Sequence, residues 1–338
     1  MVIRSKAPLR ISFGGGGTDV SPYREERGGV VLSTTIDKYC YASLTPRDDD
    51  QVCIRSLDYD TTVRYQRDQM ELDGRLDLIK ATLAALDAPG GCELLLHSDA
   101  PPGSGLGSSS AMVVAVLGAV LEWTGARPSP YEVAQLAYRI ERCDLGIPGG
   151  YQDQYAATFG GVNWIEFGPE EALVNPLRVD PGILNELHYR LLLCYTGKIR
   201  ASVGIVNEQV SGYIERRPQV SAALDETKRL AGLMKAALLR GELDCLGRLL
   251  HEAWQQKQKF SVKITDPEID ALYEGARRAG AIGGKLLGAG GGGYLLLLAE
   301  SAAKHRLVDN LTAAGGQLID FSLETEGRQC WRFALGGE

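Results

Sequence analysis

The sequence has no Cys-x-x-Cys pair, and its seven cysteines (40, 53, 92, 143, 194, 245 and 330) are scattered and odd in number. That pattern disfavours a disulfide framework or a thiolate zinc site, and it makes a reducing cytoplasm the expected compartment. There is no long run of Lys or Arg, and the formal net charge is -7. A dominant basic face for nucleic acid or an anionic membrane is therefore not expected. The start, Met-Val-Ile-Arg-Ser-Lys, lacks the apolar core of a signal peptide. The longest apolar run, Ala111 to Leu121, falls short of the roughly 20 residues that span a bilayer. It reads as a buried helix. Repeats and low-complexity tracts are also missing. What remains is a protein whose expected partner is a small molecule, with monomer and homodimer both left open.

The chain is 338 residues long and 44% hydrophobic, enough for two cored domains sharing a cleft. Strand-like stretches at 2–13, 30–45, 51–66 and 92–98, with a helix near 74–87, suggest one sheet. A helix over Ser108–Trp123 follows. The next opens at Ser129, with Pro130 in the first turn and Glu132 completing a capping box. The second half is expected to hold a strand at 188–195, helices over 201–280 with Asp266-Pro267 starting the last, a strand at 294–298, a helix at 301–314 and two final strands. This irregular mixture points to an α+β fold, with domains at 1–180 and 181–338.

Three glycine-rich segments carry the functional signal. Pro101-Pro-Gly-Ser-Gly-Leu-Gly-Ser-Ser-Ser110 runs straight into the apolar helix. Glycines allow close backbone approach, and the helix start offers free N–H groups and a positive dipole end, so the segment suits phosphate. Serine hydroxyls add donors for phosphate or Mg²⁺. It is not a Walker A loop, since no Gly-Lys-Ser/Thr closes it; a flexible turn with a serine cap is the plainer alternative. Leu286-Leu-Gly-Ala-Gly-Gly-Gly-Gly-Tyr294 formally satisfies G-x-G-x-x-G at Gly288, Gly290 and Gly293. That dinucleotide fingerprint must open a helix, whereas a strand-like run follows here. A loop held against the first glycine loop or a phosphate fits better; a structural hairpin stays open. The third segment, Ala7 to Asp19, carries Arg10 along a strand and delivers Thr18 and Asp19 past four glycines. Arg suits a transferring phosphoryl group, and Asp suits ligand hydroxyls.

In this order and spacing, the three segments resemble the motif set of the GHMP kinases. The resemblance covers nearly the whole chain. It implies a ribosomal-protein-S5-domain-2-like N-terminal domain, a ferredoxin-like C-terminal domain, and ATP and Mg²⁺ between them. The nucleotide phosphates would lie on Pro102, Gly103, Ser104, Gly105, Leu106, Gly107, Ser108, Ser109 and Ser110. Glu141-Arg-Cys-Asp-Leu-Gly-Ile-Pro-Gly-Gly-Tyr-Gln-Asp-Gln154 is similar to the galactokinase stretch of Glu, Pro-x-Gly and Asp-Gln. The match carries Mg²⁺ binding onto Glu141 and Ser109, the catalytic base onto Asp153, and charge stabilisation onto Arg10. Gly16, Gly17, Thr18, Asp19, Gly150, Asp153, Thr196, Gly197, Arg200, Gly290 and Gly291 are the implied substrate contacts.

Galactokinase's Gly-Glu-His-Thr-Asp is here Gly15-Gly-Gly-Thr-Asp19, which removes a Glu-His pair that helps hold galactose. The Phe13–Asp19 form, with Gly28–Lys38, Tyr195-Thr-Gly197 and Trp254–Lys259, resembles the D-glycero-D-manno-heptose 7-phosphate kinases of the same family. That implies phosphorylation of an anomeric hydroxyl on a sugar phosphate, with Lys6, Arg24, Lys198 and Arg200 as candidate cations for its phosphate. Another sugar 1-kinase (hexose or deoxyhexose) and a non-catalytic sugar or ATP sensor are the alternatives.

Overall fold

The computed structural model describes residues 1–86, 88–198 and 203–334. The first unit is built on β1 (Val2–Gly14), a strand buried at nearly every position because neighbours cover both faces. Helix α1 (Tyr23–Arg27) leads to β2 (Gly29–Pro46), which pairs antiparallel with β1 along its length. The hairpin β3 (Gln51–Ser56) and β4 (Thr61–Gln66) resolves the stretch expected as one strand into two. Helix α2 (Asp77–Ala84), β5 (Cys92–Ser98), α3 (Ser108–Thr124), α4 (Pro130–Tyr138) and α5 (Gln152–Phe159) follow, then the hairpin β6 (Val162–Phe167) and β7 (Ala172–Pro176).

The capping box at Ser129 forms as expected: Ser129 Oγ accepts from the Glu132 N–H, and Glu132 accepts from the Ser129 N–H at 2.7 Å. After α4 the helix widens into a π turn, Arg139–Asp144. Such turns displace one side chain from the helical register and often accompany functional sites. Every residue from Ala111 to Leu121 is buried, so the apolar run is a core helix. No helix among the described residues is long and apolar enough to cross a membrane.

The second unit begins with α6 (Pro181–Arg190) and β8 (Leu191–Tyr195). The expected strand at 188–195 is thus a helix end and a shorter strand. Asp180 caps α6 through the Gly182 N–H ahead of Pro181, the same start signal as Asp266-Pro267. Helices α7 (Val203–Ile214), α8 (Pro218–Arg240), α9 (Leu243–Lys257) and α10 (Pro267–Ala279) come next. Strands β9 (Ala281–Leu286) and β10 (Tyr294–Ala299), helix α11 (Lys304–Ala313) and β11 (Gln317–Ile319) complete it. Its antiparallel sheet runs β11-β8-β10-β9, which is the 4-1-3-2 order of a ferredoxin-like unit.

The tail then returns. β12 (Leu323–Glu324) pairs with β2, and β13 (Gln329–Phe333) pairs with β1. The large sheet therefore has nine strands, ordered β13-β1-β2-β5-β3-β4 with β12 and the β6–β7 hairpin on β2. The chain passes from the large sheet to the small one between β7 and β8. We propose a unit boundary near residue 180, with the tail strands assigned back to the first unit.

Candidate active site

A cleft between the two sheets is lined from both sides, by β1, the loop before α3, the stretch leading into α5, α9, and the glycine loop between β9 and β10. At its floor lies the start of α3. Gly107 occupies the N-cap position in the left-handed region (φ 78°), and no side chain caps the helix. The first backbone bond inside the helix is Ala111 N–H to Gly107 O. The amides of Ser108, Ser109 and Ser110 are therefore orphan donors at a positive dipole end facing the cleft. Such a helix start suits an anion, which backbone alone could hold.

The two glycine loops brace one another. A Cβ on Gly288 would stand 2.6 Å from the Gly105 Cα, and one on Gly105 would stand 2.7 Å from the Leu287 carbonyl. Both have positive φ, so no larger residue fits either place without strain. Tyr294 N–H also bonds the Ser104 carbonyl at 3.0 Å. The second glycine segment connects β9 to β10 and opens no helix, which removes the dinucleotide reading.

Glu141, in the π turn, is only 1% exposed. Its carboxylate accepts from Ser109 Oγ, from Ser110 Oγ at 2.6 Å and from Gln154 Nε2 at 2.6 Å. Arg142 Nη1 stands 3.4 Å away. No group of three or more His, Cys, Asp or Glu placed to hold a metal ion exists among the described residues. One buried carboxylate and one hydroxyl at the phosphate loop suit Mg²⁺, which takes few protein ligands and completes its shell with water and phosphate oxygens.

Arg10, on β1, donates from Nε to Asp153 Oδ1 at 2.8 Å and from Nη1 to the Gly105 carbonyl. It thereby ties the phosphate loop to the first turn of α5. Asp153 lies against Gly107, where a Cβ would sit 3.3 Å from its Cγ. Asp19 is fully buried and accepts from the Gln152 N–H (3.0 Å) and the Gly17 N–H (3.1 Å). Burial raises its pKa against the lowering effect of those amides. Gly150 is required here, since a Cβ would overlap Asp19 at 2.0 Å.

Arg10, Gly16, Gly17, Asp19, Gly103, Gly105, Gly107, Ser108, Ser109, Ser110, Glu141, Gly150, Asp153 and Gly290 all line this cleft. Other expected contacts serve the framework instead. Thr18 Oγ1 accepts from the Val30 N–H and donates to the Gly15 carbonyl. Leu106 is core, and its carbonyl accepts from the Arg10 N–H. Thr196 bonds the Gly293 carbonyl, and Gly291 N–H bonds Ile264 O. Pro102, Ser104 and Gly197 do not line the cleft, and Arg200 lies outside the described residues.

The cations expected for a substrate phosphate are engaged elsewhere. Lys6 sits over the Tyr39 ring at 4.0 Å. Arg24 stacks on Tyr151 and bonds the Gly168 and Pro169 carbonyls, while Lys198 pairs with Asp266 and Glu268. Sequence reasoning missed instead two buried lysines in the wall, Lys257 and Lys285, along with Ser12 and Gln152. The available signal was a lysine inside an otherwise apolar strand, Ala281–Leu286.

Fold and site together define a two-unit α+β phosphotransferase. Residues 76–161 match the GHMP kinases N terminal domain, and residues 234–317 match the GHMP kinases C terminal domain. A D-glycero-alpha-D-manno-heptose 7-phosphate kinase of Campylobacter jejuni is 37% identical over 337 residues, 98% of this chain and 99% of that protein. A crystal structure described as a D-glycero-D-manno-heptose 1-phosphate kinase from Bacteroides thetaiotaomicron superposes with a TM-score of 0.82. It is 34% identical and covers 98% of this chain and 100% of its own. Lactococcus lactis galactokinase complexed with galactose, 21% identical, shares the fold at a TM-score of 0.78 over 97% of this chain and 95% of that one. This chain belongs to the GHMP kinase family, and the activity of that family is ATP-dependent phosphoryl transfer.

Proposed function

We propose that this kinase phosphorylates the anomeric hydroxyl of D-glycero-D-manno-heptose 7-phosphate, giving the 1,7-bisphosphate. It would act in the cytoplasm on the route to nucleotide-activated heptose for bacterial surface polysaccharide. The observation that carries the substrate is the 37% identity to the Campylobacter jejuni heptose 7-phosphate kinase over nearly all of both chains. The contact between Arg10 and Asp153 at the mouth of the phosphate loop supports the chemistry.

In this reading the amides of Ser108–Ser110 cradle the ATP phosphates. Glu141 and Ser109 hold Mg²⁺, which when bound neutralises charge on those phosphates. Asp19 and the Gly16–Gly17 backbone orient the sugar. Asp153 accepts the proton of the anomeric hydroxyl as its oxygen bonds to the γ-phosphorus. The bond from that phosphorus to the β–γ bridging oxygen breaks, and ADP leaves. Arg10 holds Asp153 in place and balances charge on the moving group.

A second reading is a 1-kinase for an unphosphorylated deoxyhexose. It draws on a bifunctional fucokinase/GDP-fucose pyrophosphorylase of Arabidopsis thaliana, 28% identical over 88% of this chain. The engagement of Lys6, Arg24 and Lys198 outside the cleft also favours it. Measuring kcat/KM for heptose 7-phosphate, heptose, mannose, galactose and fucose separates the two. The first reading expects the phosphorylated heptose to exceed the rest by a wide margin, since a bound phosphate adds to transition-state affinity. Equal or better efficiency on an unphosphorylated sugar overturns it.

A further inference from the structure

Two lysines of the second unit project into the cleft beside Arg10. Lys257, the last residue of α9, donates from Nζ to the Leu286 carbonyl at 2.8 Å and to the Gly288 carbonyl at 2.5 Å. Lys285, on β9, donates to the Ser12 carbonyl on β1 at 3.2 Å. Lys257 is 8% exposed and Lys285 is 6% exposed. Among the described residues, neither has a carboxylate within 4 Å. Their partners are carbonyls, which orient an ammonium group without neutralising it. A buried cation without a counter-ion is costly, and here two lie close to a third, Arg10.

Ser12 supplies an independent sign. It lines the cleft and is 4% exposed, yet its Oγ has no hydrogen-bond partner among the described residues. Ser12 is two residues from Arg10 on the same strand face. A free hydroxyl, two lysines and an arginine thus converge where the phosphate loop, the base Asp153 and the sugar carboxylate Asp19 meet. The negative groups near them are Asp153, already paired with Arg10, and Asp19, held by backbone amides. Burial and Arg10 push Lys285 down to about 8. Burial, Lys285 and Arg10 push Lys257 well below the usual lysine range. Both directions reflect the cost of holding these charges out of water beside another cation.

We propose that Lys257, Lys285 and Ser12 form, with Arg10, an anion site for the phosphoryl group in transfer, clamping it between the two units. The inference rests on the kinase reading above and deepens it. The second unit would supply positive charge to equatorial oxygens that the α3 amides do not reach.

The test compares wild type with Lys285→Met and Lys257→Met, titrating Mg-ADP and Mg-AMPPNP by calorimetry and measuring kcat. The Met variants are expected to keep Mg-ADP affinity within about threefold and to lose Mg-AMPPNP affinity by about tenfold or more. Their kcat is expected to fall by about 10²–10³, the usual cost of one such donor. The melting temperature without nucleotide should not fall, because a buried lone charge has been removed. A second measurement needs no variant. At about pH 9, above the Lys285 value, wild type should take up more protons on binding Mg-AMPPNP than on binding Mg-ADP.

An unchanged AMPPNP-to-ADP affinity ratio in both variants, or equal proton uptake for the two nucleotides, overturns the proposal. So does a defect confined to the KM of a phosphorylated sugar, which would assign the pair to the sugar's own phosphate. The nucleotide titrations use no sugar, so they stand or fall independently of the substrate assignment.

Discussion

At the scale of single residues, the site is a set of charges held where water would ordinarily be needed. Glu141 is tolerated because three side-chain donors surround its two oxygens. Glu141→Gln or Ser109→Ala should raise the Mg²⁺ concentration for half-maximal rate by at least about tenfold, measured with ATP saturating. Unchanged Mg²⁺ dependence would move the metal elsewhere. Lys285 makes a distinct prediction about pH. Its folded value of about 8 lies below the roughly 10.4 of an unfolded lysine. Between those values the unfolded chain keeps a proton that the folded chain has released, so this group's contribution makes stability rise with pH. Its full cost is present below about pH 8. The stability advantage of Lys285→Met over wild type should therefore shrink by on the order of 3 kcal/mol between pH 8 and 10.4. Urea melts across that range read it, and a constant difference would mean that Lys285 is not a buried cation.

At the scale of elements, two glycine loops pressed face to face do the positioning. Gly105→Ala would drive a Cβ into the Leu287 carbonyl at positive φ. It should cost about 1–3 kcal/mol and weaken nucleotide binding along with it. Ser129→Ala removes a cap on an exposed helix start. It should cost about 1 kcal/mol and leave kcat unchanged. The contrast, measured by melts and turnover, separates loop packing from helix stability. These elements also mark what was legible in the sequence. The Ser129 box and the Ala111–Leu121 core helix were readable because their signals are local. The helix carrying Asp153 was missed, since Gln152–Phe159 has little amphipathic pattern and follows a bend of glycines. Helix α6 was misread because the apolar run of β8 begins where it ends. Lys257 and Lys285 lie 28 positions apart on a helix and a strand. Only the fold brings them to Arg10, which the glycine motif of β1 singles out by itself.

At the scale of the whole molecule, the cleft joins two sheets of different topology, and the tail binds the ends of the chain together. Glu324 of β12 accepts from Tyr39 Oη and, through its carbonyl, from Thr35 Oγ1. A ligand bridging the two units should couple them. Mg-AMPPNP at 100 times its dissociation constant should stabilise the protein by about 2.7 kcal/mol, and NAD should give nothing. A melting shift with NAD alone would restore the dinucleotide reading that the β9–β10 hairpin opposes.

The most direct measurement follows phosphorus itself. Wild type and Asp153→Asn are incubated with Mg-ATP and heptose 7-phosphate, and the mixture is followed by phosphorus NMR. Wild type should produce one ADP for each new sugar phosphate, whose resonance couples to the anomeric proton. Asp153→Asn should form the same product about 10²–10⁴ times more slowly, with nucleotide affinity retained. A new phosphate on any other carbon, or a wild-type rate in Asp153→Asn, would contradict the assignment of this cleft as an anomeric kinase site.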